Sequence, residues 1–389
     1  MTTVAEHLRN LVRIPSVSSL SNRPIIDYAT EVLHAAQWQT RLQFYKGAEG
    51  VEKTNLIAAP PGQDLNNAAA EIAFMCHTDT VPYSSAWTEA VDPFMADGMF
   101  YGCGACDVKG VLACLLTSIG ETDTCNLIEG LRLVLTADEE IGCIGAKHLL
   151  NSGWLTPKRL VIGEPTSLHP ARAGKGYCLA EITVFGAAAH SAYPQKGKSA
   201  IYSAARLVTA IEELGLELAT EQHSFFSPAS TTVNVGTIQG GTAKNIVPEQ
   251  CSFQLEWRPI PGQSTDRVPA AVSGIGAKLQ ESDPNFRWKF QVVRQQEGFE
   301  TAADSYLVRS IEALTGRLAT SIPFGSEASV MAEVAEEVVV FGPGDIRTAH
   351  SSRECVPLAE LDEAVDCLKS LMTQMVQPPK QPVITEIRG

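Results

Sequence analysis

Nowhere does the chain carry the roughly 18 uninterrupted apolar residues that a membrane-spanning helix needs, so no transmembrane segment is expected. The opening residues Met1-Thr2-Thr3-Val4-Ala5-Glu6-His7 lack a basic stretch followed by an apolar core, and no secretory signal is expected from them. Positive charge is scarce: 30 Lys and Arg stand against 44 Asp and Glu, a formal net charge of -14. That balance argues against nucleic acid and against an anionic membrane as partners, and it fits a cytoplasmic protein. There is no internal repeat and no low-complexity tract. The 10 cysteines form no framework, and without an export signal they are expected to be reduced and mostly buried. Cys103 and Cys106 make a C-x-x-C, yet no second Cys or His pair follows at zinc-knuckle spacing. A structural zinc is therefore not expected there. What is present is an ordinary globular composition, 44% hydrophobic and 19% charged. A chain of 389 residues exceeds one ordinary core and suits about two or three domains.

The periodicity alternates helix and strand. Apolar spacing predicts helices over 4–13 and about 25–36. Strands are expected at 55–59, 72–76, 131–137 and 160–162, with helices at 111–119 and 144–150 between them. Residues 83–106 read as loop. Such alternation implies a doubly wound, mostly parallel sheet, an α/β fold. From about Gly174 the texture changes to one-faced strands at 178–185, 231–238, 250–258 and 286–293. Helices at 199–214 and 266–280 interleave with them. This α+β block, 174–290, reads as an inserted domain between 1–173 and 291–389. Helices at 304–315 and 358–375 and a strand at 337–341 complete the first fold, and the tail from Pro378 to Gly389 is expected to be peripheral.

In an open parallel sheet, function gathers beyond the carboxyl ends of the strands. His77, Glu139, Glu140 and Glu164 all stand at such ends, Asp107 lies in a glycine-rich loop, and His350 follows Gly342-Pro343-Gly344. Acids gathered at adjacent strand ends repel one another unless a cation compensates them. Two histidines and three carboxylates suit a borderline divalent ion such as Zn²⁺, Co²⁺ or Mn²⁺. His77, Asp107, Glu140, Glu164 and His350 are too many for one open catalytic zinc and suit two metals sharing a carboxylate. Glu139 is then free to carry a proton. Asp79, two residues beyond His77, is positioned to hold its imidazole. Alternatives attach to single residues. Asp107 could be a helix N-cap, Glu139-Glu140 an acid pair at a helix start, and Lys109 a surface residue at a helix start.

The segments His77-Thr78-Asp79-Thr80-Val81-Pro82, Tyr101 to Gly110, Asp138-Glu139-Glu140, Gly163-Glu164-Pro165-Thr166 and Gly342-Pro343-Gly344 with Ala349-His350 resemble, in order, the zinc-dependent M20 metallopeptidase family. The resemblance implies that His77 and Glu164 hold one metal, Glu140 and His350 the other, and Asp107 bridges them. It implies Glu139 as general acid/base and Asp79 as the residue orienting His77. It makes the inserted block a lid and dimerisation domain of a homodimer, in which His190 reaches the partner's active site to stabilise an oxyanion. Asn245, Arg258 and the loop at Gly325 match positions near substrate. The implied cofactor is two Zn²⁺ per subunit, replaceable by Co²⁺, and the implied substrate a small N-acyl amino acid. N-acetyl-L-ornithine is the expected one; N-succinyl-diaminopimelate or another N-acyl amino acid is the alternative. Ala187-Ala188-Ala189 before His190, Val108 and Cys76 depart from the commonest pattern without removing a ligand.

Overall fold

A computed structural model describes residues 2–47 and 50–373. The tail at 378–389 and the end of the last predicted helix lie outside the described residues. The chain separates into two compact units: residues up to Arg172, with Thr301–Thr320 and Ser326 onward, and Ala173–Glu300 with Ser321–Gly325.

The first unit is built on a mostly parallel sheet. Strands Leu131–Thr136, Ala69–His77, Thr156–Ile162 and Glu337–Val340 lie side by side and parallel. Their inner stretches, such as residues 73–76, 133–135 and 160–162, are apolar and buried on both faces, as a strand covered on both sides must be. Their register places the working ends together. His77 pairs with Thr136, Met75 with Ile162, and Ile162 with Val340. The residues that follow each strand therefore emerge at one edge of the sheet. Glu52–Ala59 and Gln39–Lys46 extend the sheet antiparallel beyond Leu131–Thr136. Helix Lys109–Glu121, almost wholly buried, packs on Val4–Val12 and Leu358–Thr373. Helix Ile144–Ser152 packs instead on Glu52–Ala59 and on the short helix Ala328–Met331.

Two departures from the expected elements matter. Gln39–Lys46 was not anticipated, because its residues are mostly half-buried and its polar side chains hide the alternation. The stretch expected to be loop at 83–106 contains a hairpin, Phe94–Ala96 with Met99–Tyr101. Asp97 and Gly98 connect it, both at positive φ (50° and 75°), the conformation of a two-residue hairpin turn. Its second strand pairs with Cys355–Pro357, so the chain just after His350 lies beside the chain just before Asp107.

The second unit is an antiparallel sheet in the order Thr232–Gly240, Gln250–Arg258, Cys178–Phe185, Arg287–Arg294. Burial alternates along the last three of these. The buried face, including Ile182, Phe253 and Trp257, packs on helices Ala200–Leu218 and Arg267–Ser282 through Leu207, Ile211 and Val272. Nine of the cysteines are buried and only Cys125 is exposed; none is in a disulfide.

Candidate active site

His77 is the last residue of its strand and is fully buried. Its Nδ1–H donates to the backbone carbonyl of Asp79 at 3.0 Å. That bond turns Nε2 toward the carboxylates: Asp107 Oδ1 lies at 3.1 Å and Glu164 Oε1 at 3.8 Å. On the other side, His350 Nε2 stands 3.1 Å from Asp107 Oδ2 and 3.2 Å from Glu140 Oε1. Each oxygen of Asp107 thus faces a different histidine. Within each of the two groups, His77–Asp107–Glu164 and Asp107–Glu140–His350, the ligand atoms lie within 4.8 Å of one another. With metal–ligand bonds of about 2 Å, donors on one ion stand roughly 3–4 Å apart, so each group is the size of a coordination shell.

The local alternatives do not describe these acids. Helix Lys109–Glu121 starts at Val108 with no side-chain cap, and the Asp107 carboxylate faces the histidines instead. Glu139 and Glu140 precede the helix that begins at Ile144 and sit in the turn before it. Lys109, expected at the surface, is buried, and its Nζ donates to Ile14 O at 2.9 Å. Close backbone contact shapes the same edge. A Cβ on Gly342 would meet Glu164 O at 2.7 Å and Val111 Cγ2 at 2.5 Å, so only glycine lets the chain after Val340 approach the turn that bears Glu164.

Asp79 holds His77 differently from the expectation. Past the strand end the alternation of side chains lapses, and it is the Asp79 carbonyl that takes the imidazole proton, the carboxylate standing at 3.6 Å. The carboxylate instead accepts from the Ser18 hydroxyl (2.7 Å) and from the backbone N–H groups of Glu139 (3.1 Å) and Glu140 (3.3 Å). Asp79 therefore ties the His77 loop to the turn that carries both glutamates.

Two further acids of the site stand outside the ligand motifs. Glu354 is buried, and its Oε1 accepts from the backbone N–H groups of Cys106 and Asp107, each at 3.0 Å. It fixes the Asp107 loop from 247 residues away. Glu327 is also fully buried, its carboxyl beside the Thr136 side chain and within reach of the charges of His77 and Asp79. No spacing pattern marks either residue; only their neighbourhood does.

The electrostatics point to missing positive charge. Burial pushes the Glu139 carboxyl up to about 8, helped by the charges of Glu140, Glu327 and Asp79. Burial, then the charge of Asp107, holds Glu164 well above the usual carboxylate range. Burial likewise raises Glu140, Glu327 (to about 7) and Glu354 (to about 7). Burial acts against the charge on His77, yet its bonds to Asp107 and Asp79 raise it well above an ordinary imidazole. Hydrogen bonds to Asp107 and Glu140 raise half-exposed His350 to about 10. Burial would raise Asp107, but His350 and His77 hold it low. Carboxylates that cling to protons and imidazoles that refuse to lose them are what a buried donor set does without cations. Two divalent ions against Asp107, Glu140 and Glu164 would leave one positive charge unmatched. A ligand that gains negative charge would balance it.

The remaining predicted residues lie in the second unit. His190 is exposed, forms an isolated bridge with Ile246, and its Nδ1 accepts from Ala192 N at 3.1 Å. Asn245 adjoins it, its carbonyl accepting from Ser191 N at 3.0 Å. Arg258 donates to Glu256 Oε1 (2.8 Å) and Pro323 O (2.9 Å) and lies over the Tyr177 ring at 4.8 Å. Arg294 lies over the same ring at 4.4 Å, and a Cβ on Gly325 would come 3.5 Å from Tyr177. The structure thus gathers these residues as two pairs, His190 with Asn245 and Arg258 with Gly325.

Comparison with known proteins agrees with the motifs. The family model described as Peptidase family M20/M25/M40 matches residues 73–374. An acetylornithine deacetylase from Myxococcus xanthus is 44% identical over 355 residues, covering 91% of this chain and 92% of its own length. One from Proteus mirabilis is 29% identical, covering 97% of each. The fold is shared with aminopeptidase PepT from Bacillus cereus (TM-score 0.78, 21% identity, 96% and 98% of the two chains). It is shared also with Bacillus subtilis YXEP, described as a dinuclear metal binding peptidase (TM-score 0.65, 14% identity, 95% and 96%). With a family match across most of its length, carried on the strand ends where its acids and histidines converge, the chain belongs to the M20 peptidase family.

Proposed function

We propose that the protein is a metal-dependent amidohydrolase that removes the acetyl group from N-acetyl-L-ornithine, a step suited to arginine biosynthesis in the cytoplasm. The observation that carries the reading is the pair of three-ligand groups sharing Asp107, with Glu139 half-buried beside them. The named relatives at 44% and 29% identity support the substrate.

His77, Asp107 and Glu164 would hold one ion, and Asp107, Glu140 and His350 the other; the donor set suits Zn²⁺, with Co²⁺ able to substitute. When bound, the ions would polarise the amide carbonyl and let water ionise near neutral pH. The remaining steps fall to this chain's side chains. Glu139 takes a proton from the attacking water and returns it to the leaving amine. Cations beside it would lower its raised affinity for a proton, so that the ionised carboxylate serves as base first and acid second. Asp79 keeps the Glu139 turn and the His77 imidazole in one frame. His190, contributed across a homodimer, would donate to the developing oxyanion. Arg258 would receive the α-carboxylate through its planar guanidinium, with Asn245 and the Gly325 loop beside the substrate.

The test is a panel of N-acetylornithine, N-acetylcitrulline, N-succinyl-diaminopimelate and N-acetylmethionine, assayed on chelated protein with metal added back. Metal-restored hydrolysis with the highest kcat/KM for N-acetylornithine is expected. A higher value for the succinyl or methionine substrate would move the assignment within the family. Activity indifferent to chelator would overturn the metal-dependent reading.

A further inference from the structure

Lys53 is among the largest fully buried side chains, and none of the steps above uses it. An ammonium buried in this way needs a partner for each of its three N–H groups. Lys53 has them. Its Nζ donates to Ser18 O and Leu20 O, each at 2.7 Å, and stands 2.7 Å from Asp138 Oδ1. Asp138 is fully buried too, and its Oδ2 accepts from the Tyr45 hydroxyl at 3.0 Å. Asp138 immediately precedes Glu139 and holds a φ of 60°. A non-glycine residue stays in that left-handed region only where its surroundings over-determine it.

These contacts close on themselves. One arm of Lys53 reaches Asp138, and the backbone leads on to Glu139, whose N–H donates to Asp79 Oδ1. The other arm reaches the carbonyl of Ser18, whose own hydroxyl donates to Asp79 Oδ2. Asp79 in turn holds Nδ1 of His77 through its carbonyl. Lys53 therefore anchors both segments that grip Asp79, and one of them carries Glu139.

We propose that Lys53, through its ion pair with Asp138, is a positioning residue for Glu139 and for the His77 imidazole. The proposal rests on the role given above to Glu139. Stability is a poor account of the pair, because buried ion pairs are often replaced by apolar groups without loss. Geometry is a better one. A small rotation at Asp138 swings the Glu139 side chain, and a displacement of about 1 Å at a reacting group can cost about 10²-fold in rate.

The test uses Lys53→Met, the charge-neutral double variant Lys53→Met/Asp138→Asn, which avoids a lone buried carboxylate, and the mild Ser18→Ala. At saturating zinc, the double variant is expected to be folded, with kcat reduced about 10²-fold and KM little changed. Its zinc affinity, read by chelator competition, should weaken by about tenfold through the loosened Asp79–His77 contact. Ser18→Ala should lose less, in the same two readouts. Parental kcat together with parental zinc affinity in the double variant, a loss confined to KM, or a loss that disappears on cooling in step with melting temperature would each overturn the proposal. Weaker zinc affinity with parental kcat would overturn the part concerning Glu139. Failure of the functional reading is seen separately, as a parent enzyme without N-acyl hydrolysis or a Glu139→Gln variant with parental kcat. The zinc-affinity readout still decides on Lys53 in either case.

Discussion

The two units handle charge in opposite ways. In the second, acids and bases meet near the surface as ordinary pairs: Lys198 with Asp283, Arg267 with Glu221, His223 with Glu300, Arg258 with Glu256. Such pairs are solvated and contribute little, about 0–1 kcal/mol. In the first unit, Asp107, Glu140 and Glu164 face two imidazoles at one sheet edge, with Glu139 and Glu327 close enough to feel the charge of His77. The difference locates the chemistry better than any single residue does. A chain can tolerate paired surface charge anywhere, whereas a buried surplus of acid persists only where something else balances it.

That contrast can be broken most forcefully at the shared carboxylate. Asp107→Ala should remove metal from both groups at once and take activity below detection, as metal analysis and turnover would record. If only one ion were lost, the bridging role would fail. Next in size is Glu139→Ala. It should keep its metal and its fold but lose about 10²–10⁴-fold in kcat; near-normal hydrolysis would remove Glu139 from the mechanism. Glu354→Gln should weaken metal affinity or activity by about 10–100-fold, since it supports the Asp107 loop without touching substrate.

The acid surplus also predicts how the metal-free protein responds to pH. Glu327 and Glu354, raised to about 7, and Glu139, raised to about 8, hold their protons more tightly folded than unfolded. Groups of this sign stabilise below their ordinary range, and the contribution is lost as pH rises through the folded value. His350, raised to about 10, has the same sign. Chelated protein should therefore melt several degrees lower at pH 8.5 than at pH 6, and added zinc should remove most of the slope. A melting temperature that rises over this interval would contradict the assignment. The smallest effect belongs to the other unit: Arg267→Ala should change stability by less than about 1 kcal/mol and leave turnover unaltered.

How much of this was readable beforehand depended on distance along the chain. His77, Glu140 and Glu164 were legible because each terminates an apolar strand, and strand ends of a parallel sheet converge by geometry. Helices and strands with strong periodicity, such as Cys178–Phe185, emerged close to their expected bounds. The polar residues of Gln39–Lys46 hide its strand, and Lys109 reads as a surface residue because a lysine at a helix start is usually solvated, whereas it is buried. Ser18, Lys53, Glu327 and Glu354 could not be found by spacing at all. Their partners lie 61 residues away for Ser18 and 247 for Glu354, and only the folded chain brings them together.

The Glu354 contact has a consequence for biosynthesis. The N–H groups of Cys106 and Asp107 are made early, while the carboxylate that receives them emerges from the ribosome 248 and 247 residues later. His350 arrives at nearly the same late moment. A nascent chain that has already laid down His77, Asp107, Glu140 and Glu164 therefore exposes a half-built acidic edge without its final imidazole or its loop support. Full assembly of the site must therefore await residue 354, and products truncated before residue 350 would carry most of the acids and none of the finished geometry.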